Sequence, residues 1–189
     1  MSIQDKWNRY VRSAANEYSA TTEWADAQRQ HIELMNYIPL GTIHVLDLGC
    51  GDGWSTKTLQ QCGCDAVGVT INQAEVAHAK SKYNIDLYLQ DMHDLQFPDG
   101  RFDLVYCREC YEHSVAPYIA LCEINRVLKL HGHTLIHVPS QRWIRENSHF
   151  SVLNDAQMRE MFRKCFFNIV NTGLTNVGQW YLSEKIKEI

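Results

Sequence analysis

Apolar residues along the chain fall into two alternating rhythms. Short runs rich in leucine and β-branched residues, at Ile43–Leu48, Ala66–Thr70, Asp86–Leu89, Phe102–Tyr106 and Thr134–Val138, predict five strands. Between them, stretches with helical spacing and few breakers predict helices over Trp54–Gln61, from Asn72 to about Tyr83, over Tyr118–Leu130 and over Asn154–Cys165. Asn72 with Glu75 three residues on has the spacing of a capping box. On the Tyr118–Leu130 segment, Ile119, Cys122, Val127 and Leu130 form the expected apolar face, opposite Glu123, Arg126 and Lys129, with Gly132 as the stop. Phe166–Thr172 and Gln179–Ser183 read as a closing hairpin around Gly173 and Gly178. Ahead of all this, Trp7–Met35 lacks Pro and Gly and reads as one or two helices ended by Pro39 and Gly41.

Strand–helix alternation requires a parallel sheet covered on both faces, joined by right-handed crossovers. The expected fold is therefore a doubly wound α/β domain. Ligands of such sheets bind at the carboxyl ends of the strands, so the loops after the first five strands should meet at one site.

Composition narrows the class. The 189 residues make one domain, 1–189, at ordinary hydrophobic content (45%) and a formal charge of 18 − 22 = −4. A pI near 6.1 argues against general nucleic-acid binding. No apolar run approaches the roughly 20 residues of a membrane span. Met1–Arg12 is polar and carries no leader-like apolar stretch, so no secretory signal is expected. Seven cysteines, an odd number set partly in strand-like runs, predict reduced thiols and a cytoplasmic location.

The first strand closes on Gly49-Cys50-Gly51-Asp52-Gly53, where a backbone turns tightly and can approach a ligand with no Cβ in the way. The spacing is G-x-G-x-G, not the dinucleotide G-x-G-x-x-G, and Thr70 stands where a ribose-holding acid would close the second strand. A nicotinamide oxidoreductase is disfavoured on both counts.

Val45–Gly53 resembles the first motif of the class I S-adenosylmethionine-dependent methyltransferases. Asp91–Val105 is similar to the third- and fourth-strand region of their type 11, small-molecule branch, and Tyr111-Glu112-His113 to the Glu-His pair after the fourth strand. Leu121–Val138 and the final hairpin are similar to the family's next helix and strand and its reversed last strand. The resemblance covers roughly residues 40 to 185. It implies a seven-stranded Rossmann-like sheet, mostly parallel, with a cofactor-binding core over 41–189 and an N-terminal helical lid over 1–40 in which Trp7, Tyr10, Tyr18 and Trp24 could line the pocket.

It also implies site roles. Asp47 would orient the glycine turn and the methionyl ammonium of S-adenosylmethionine, and Gly49, Gly51 and Gly53 would let the backbone meet that cofactor. Asp91 would accept the adenine amino hydrogen, with Met92 against the ring. Cys107 and Arg108 lie where the family presents main-chain carbonyls. Thr70 with Ile71 departs from the usual ribose-binding acid and is similar to the fatty-acid cyclopropane synthase branch. There Glu75 would hold the ribose, a role that competes with its place in the capping box. S-adenosylhomocysteine would be the product.

Methyl transfer from a sulfonium is an in-line displacement that needs alignment above all, and a base only where the acceptor arrives protonated. His113, His149 and Glu112 are the candidates for catalysis, with Tyr111 and Ser140 also at strand ends. The fourth strand is followed by Cys107-Arg108-Glu109-Cys110 rather than the Asp/Asn-Pro-Pro-Tyr/Phe of enzymes that methylate amide-like nitrogens, which disfavours such nitrogens. The type 11 resemblance implies a small molecule as acceptor, methylated at oxygen or nitrogen rather than carbon. No metal site is expected: Cys62 and Cys64 belong to the opposite rim of the sheet from Cys107 and Cys110. The alternative reading is a cofactor-binding, non-catalytic subunit that activates a partner methyltransferase.

Overall fold

The computed structural model describes residues 24–189. In chain order the elements are α1 (Trp24–Met35), β1 (His44–Leu48), α2 (Trp54–Gln61), β2 (Asp65–Thr70), α3 (Gln73–Tyr83), β3 (Tyr88–Leu89), β4 (Phe102–Arg108), α4 (Pro117–Val127), β5 (Leu128–Pro139), α5 (Asp155–Lys164), β6 (Phe167–Leu174) and β7 (Gly178–Lys185). The seven strands form one sheet in the order β3-β2-β1-β4-β5-β7-β6. Pairings from β3 to β5 are parallel, while β7 inserts between β5 and β6 and runs antiparallel to both. The doubly wound sheet and its reversed last strand are as the sequence predicts. Trp7, Tyr10, Tyr18 and the first part of the expected lid lie outside the described residues.

Both faces of the sheet are buried, as a parallel sheet requires. Successive side chains point to opposite faces, so neighbours in one strand join different cores. Leu46, Val105, Cys107, Ile136 and Tyr181 pack with Ala120, Leu121 and Ile124 of α4 and Met158 and Phe162 of α5. Val45, Leu104, Tyr106, Leu135 and Trp180 pack with Leu34 of α1 and Leu59 of α2 on the other side. A capping box starts α5: Asn154 accepts from the Gln157 amide and Gln157 returns the bond to the Asn154 amide.

The structure corrects the expected helix before the fifth strand. Ile119 and Leu130 are about half exposed, and the buried face is Ala120, Leu121, Ile124 and Val127. The helix also ends at Val127 and passes straight into β5, so Gly132 lies inside a strand. The cause is tertiary. Lys185 of β7 is fully buried, and its ammonium donates to the carbonyls of Asn125 at 2.8 Å and Leu128 at 2.7 Å, with Glu188 as its counter-charge. A cation on the last carbonyls stops the helix at its negative end.

Candidate functional site

Loops from the carboxyl ends of β1 to β5 converge on one cavity of about 400 Å³, within the usual range of small-molecule sites. Gly49 and Gly51 line it from β1, Thr70, Ile71 and Glu75 from β2, and Asp91 and Met92 from β3. From β4 come Glu109, Cys110 and His113, and from β5 Glu146, Asn147 and Ser148.

The glycine turn is a backbone device. Gly49, Gly51 and Gly53 all have positive φ, at 72°, 53° and 87°. A Cβ on Gly49 would sit 2.0 Å from the Cys110 sulfur, so only glycine fits between the turn and the β4 loop. Asp47 lies beneath the turn, 1% exposed, and does not line the cavity. One of its oxygens accepts from both Ser55 and Thr56 at 2.6 Å, tying the end of β1 to the first turn of α2. Burial outweighs those two bonds and pushes its carboxyl up to about 6.

At the next loop, the Thr70 hydroxyl donates to Glu75, and the Asn72 amide donates to Thr70 Oγ1 at 3.1 Å. Asn72 caps α3 by accepting from the Ala74 amide, and Glu75 is engaged by Thr70 rather than serving as the expected reciprocal arm of a capping box. Burial raises the Glu75 carboxyl above its ordinary range, the Thr70 hydroxyl partly offsetting this. Asp91 is fixed by His93, whose Nδ1 approaches Asp91 Oδ1 at 2.6 Å while its Nε2 meets the Ser114 hydroxyl at 2.6 Å. The other oxygen of Asp91 is buried with no donor among the described residues. His93 was not singled out from the sequence, since its role depends on Ser114 arriving from a loop 21 residues away.

The far wall is built from side chains. Glu112 is fully buried, and its main-chain carbonyl accepts from the amides of Phe150 and Ser151, which clamps the loop after β5 onto the loop after β4. Among the described residues, neither carboxylate oxygen of Glu112 has a hydrogen-bond donor. Burial, with Glu109 close by, holds the Glu112 carboxyl well above the usual carboxylate range. An unsatisfied buried group of this kind costs about 1–3 kcal/mol. The His113 ring faces the His149 ring with centroids 5.0 Å apart, and His113 Nε2 lies 3.9 Å from Glu112 Oε1. The three residues proposed from the sequence for catalysis are thus one cluster.

Other expected positions fall elsewhere. The Tyr111 hydroxyl donates to the Pro117 carbonyl from inside the core, and Ser140 does not line the cavity. Cys107 is fully buried in the core beneath Glu109 and Cys110. The Arg108 side chain turns to α1, where it meets Gln30 and His31. His31 also pairs with the Tyr106 hydroxyl at 2.8 Å, and burial together with the Arg108 charge lowers its pKa to about 3. All seven cysteines are free thiols. No described helix is long and apolar enough to cross a membrane.

The family model described as a methyltransferase domain matches residues 46–136, from β1 into β5. Those residues belong to the methyltransferase-domain family. Around the domain, the chain is 31% identical over 109 residues to a ubiquinone biosynthesis O-methyltransferase of Bradyrhizobium diazoefficiens, covering 55% of this chain and 43% of that one. It is 29% identical over 155 residues to a malonyl-[acyl-carrier protein] O-methyltransferase of Erwinia pyrifoliae, covering 75% and 59%. The chain therefore spans about half the length of these curated relatives. This chain shares its fold with the PH0226 protein of Pyrococcus horikoshii, at TM-score 0.75 and 20% identity over 94% of this chain and 98% of that one. It shares it also with the [4+2]-cyclase SpnF, at TM-score 0.70 and 24% identity over 83% and 63%.

Proposed function

We propose that this chain is an S-adenosylmethionine-dependent methyltransferase that methylates a small molecule at oxygen or nitrogen, releasing S-adenosylhomocysteine. The observation that carries the reading is one cavity with two unlike ends. The cavity is lined by a cradle of glycine backbone with the Glu75 and Asp91 carboxylates and by His113, which clusters with Glu112 and His149 just outside the lining.

The residues at the first end fit a sulfonium nucleoside. The unpartnered oxygen of Asp91 awaits a donor such as an adenine amino group. Glu75, with Thr70 on one of its oxygens, is suited to accept from a ribose diol. Positive φ at Gly49 and Gly51 lets the main chain approach without side-chain hindrance. When bound, the cofactor supplies an electrophilic methyl on an already activated leaving group. The protein then has to align the acceptor, exclude water and manage its proton. His113 donates from Nδ1 to the Ser148 carbonyl at 3.0 Å, which fixes the orientation of its ring at the cavity. The acceptor's hydroxyl is placed at the end of the cavity lined by His113, beside Glu112 and His149. Relatives named for O-methyl transfer support oxygen as the atom methylated.

Seven free thiols suit a cytoplasmic setting. Because a protein named as a [4+2]-cyclase shares the fold, methyl transfer has to be tested directly. Isothermal titration with S-adenosylmethionine and S-adenosylhomocysteine, followed by methyl-transfer assays on hydroxylated and amine acceptors, provides that test. Binding of both nucleosides, weakened about tenfold by Glu75→Gln, is the expected result. Absence of cofactor binding overturns the reading. Binding without transfer to any acceptor favours the non-catalytic subunit that activates a partner.

A further inference from the structure

Among the described residues the buried Glu112 carboxylate has no donor on either oxygen, yet it lies beside two imidazoles. One donor atom each from Glu112, His113 and His149 lies within 4.8 Å of the other two. Both rings are already oriented from behind. His113 Nδ1 donates to the Ser148 carbonyl at 3.0 Å, and His149 Nδ1 donates to the Trp143 carbonyl at 2.9 Å. A main-chain carbonyl accepts only, so each Nδ1 is the donor and Nε2 is the nitrogen each ring offers as a ligand atom. This backing of the ring by a carbonyl is the arrangement that holds histidine ligands in metal sites.

We propose that Glu112, His113 and His149 bind one divalent transition-metal ion of the zinc class, with an open coordination position towards the cavity. Two imidazoles and one carboxylate are the protein ligands of known catalytic zinc sites, where a fourth position stays open. Tetrahedral coordination at bond lengths of about 2.0–2.1 Å sets donor atoms roughly 3.4 Å apart. Glu112 and His113 are close to that spacing at 3.9 Å, and the His149 loop has only to move inwards slightly. A cation also supplies what the carboxylate lacks, a partner for its buried oxygens.

The ion's catalytic part rests on the methyl-transfer reading; its binding does not. With the acceptor hydroxyl in the open position, the ion increases its acidity. The hydroxyl proton leaves to water, the oxygen–methyl bond forms, the sulfur–methyl bond breaks, and the electron pair stays on sulfur.

Chelator-treated protein is titrated with zinc chloride by calorimetry and with cobalt(II) by visible absorption. One ion per chain is expected, with a cobalt spectrum of nitrogen and oxygen ligation. His149→Ala, on a loop, and Glu112→Gln each weaken binding by more than about tenfold, with circular dichroism reporting that both are folded. His44→Ala, whose ring pairs with Asp65 at the opposite rim, binds as the parent does. Failure of the parent to bind zinc, equal affinity in His149→Ala, or a thiolate charge-transfer band that places cobalt on the cysteines each overturns the site. Titration of the metal-free protein with S-adenosylmethionine separates the two readings. Cofactor binding without metal binding defeats only the metal site, and metal binding without cofactor binding defeats only the methyl-transfer reading.

Discussion

Each end of the cavity rests on a buried carboxylate. Under the glycine turn, Asp47 has two hydroxyls on one oxygen and joins a strand to the helix that follows it. Under the histidine end, Glu112 is as deeply buried and has no donor on either oxygen. The first is a finished piece of scaffold whose polar needs are met within nine residues of sequence. The second carries an unmet polar need. The difference teaches what each carboxylate does for its own end: a satisfied one such as Asp47 fixes geometry, while an unsatisfied one, Glu112 here and Asp91 at the glycine end, keeps the capacity to take a partner.

Gly49→Ala should strike hardest. The new methyl meets Cys110 Sγ at 2.0 Å and Cβ at 2.5 Å in a left-handed backbone. Cofactor affinity should fall by at least about a hundredfold, near 3 kcal/mol, with a lowered melting temperature. Titration calorimetry and thermal unfolding measure both, and a near-normal affinity would mean that the turn does not set the site.

Asp47 carries a pH signature. Its carboxyl sits near 6 in the fold, above the ordinary 3.8, because burial outweighs the Ser55 and Thr56 bonds. The native state therefore binds this proton more tightly than the unfolded chain does. Its contribution is fully present below pH 3.8 and is lost as pH rises through 6. Asp47→Asn removes that dependence. Parent stability relative to the variant should fall by about 2–3 kcal/mol between pH 4 and 7, followed by urea unfolding. A flat difference would show that the two hydroxyls fully offset burial.

Thr70→Val removes the donor to Glu75, and with it the bond that opposes the burial-driven rise of its carboxyl. Cofactor affinity should weaken roughly three- to tenfold, up to about 1.4 kcal/mol. Glu112→Gln should change metal-free stability least. With no hydrogen bond to lose, it should cost under about 1 kcal/mol or stabilise slightly, read from the urea midpoint. A loss above about 3 kcal/mol would put Glu112 in the same class as Asp47 and dissolve the contrast.

Local chemistry was legible wherever its partners are close in sequence. The strand runs, the glycine turn and the Asn154 cap follow from spacing alone. The helix before β5 was misjudged at both face and end, because Lys185, 60 residues beyond Asn125, takes the carbonyls that a longer helix would have used. Glu75 is the local exception: capping box and ribose site call for the same residue, and the Thr70 hydroxyl, five positions back, engages it in place of the cap.

By itself the sequence determined the doubly wound sheet, pointed to its carboxyl-end rim for a site, and offered Glu112, His113 and His149 as candidates. Hydrophobic period and turn chemistry act between near neighbours, so they can be read along a line. Only the tertiary structure decided that those three residues, 37 positions apart at the extremes, share one small volume. The amides of Phe150 and Ser151 bind the Glu112 carbonyl and draw the two loops together, and a bond across that separation leaves no periodic trace in the sequence.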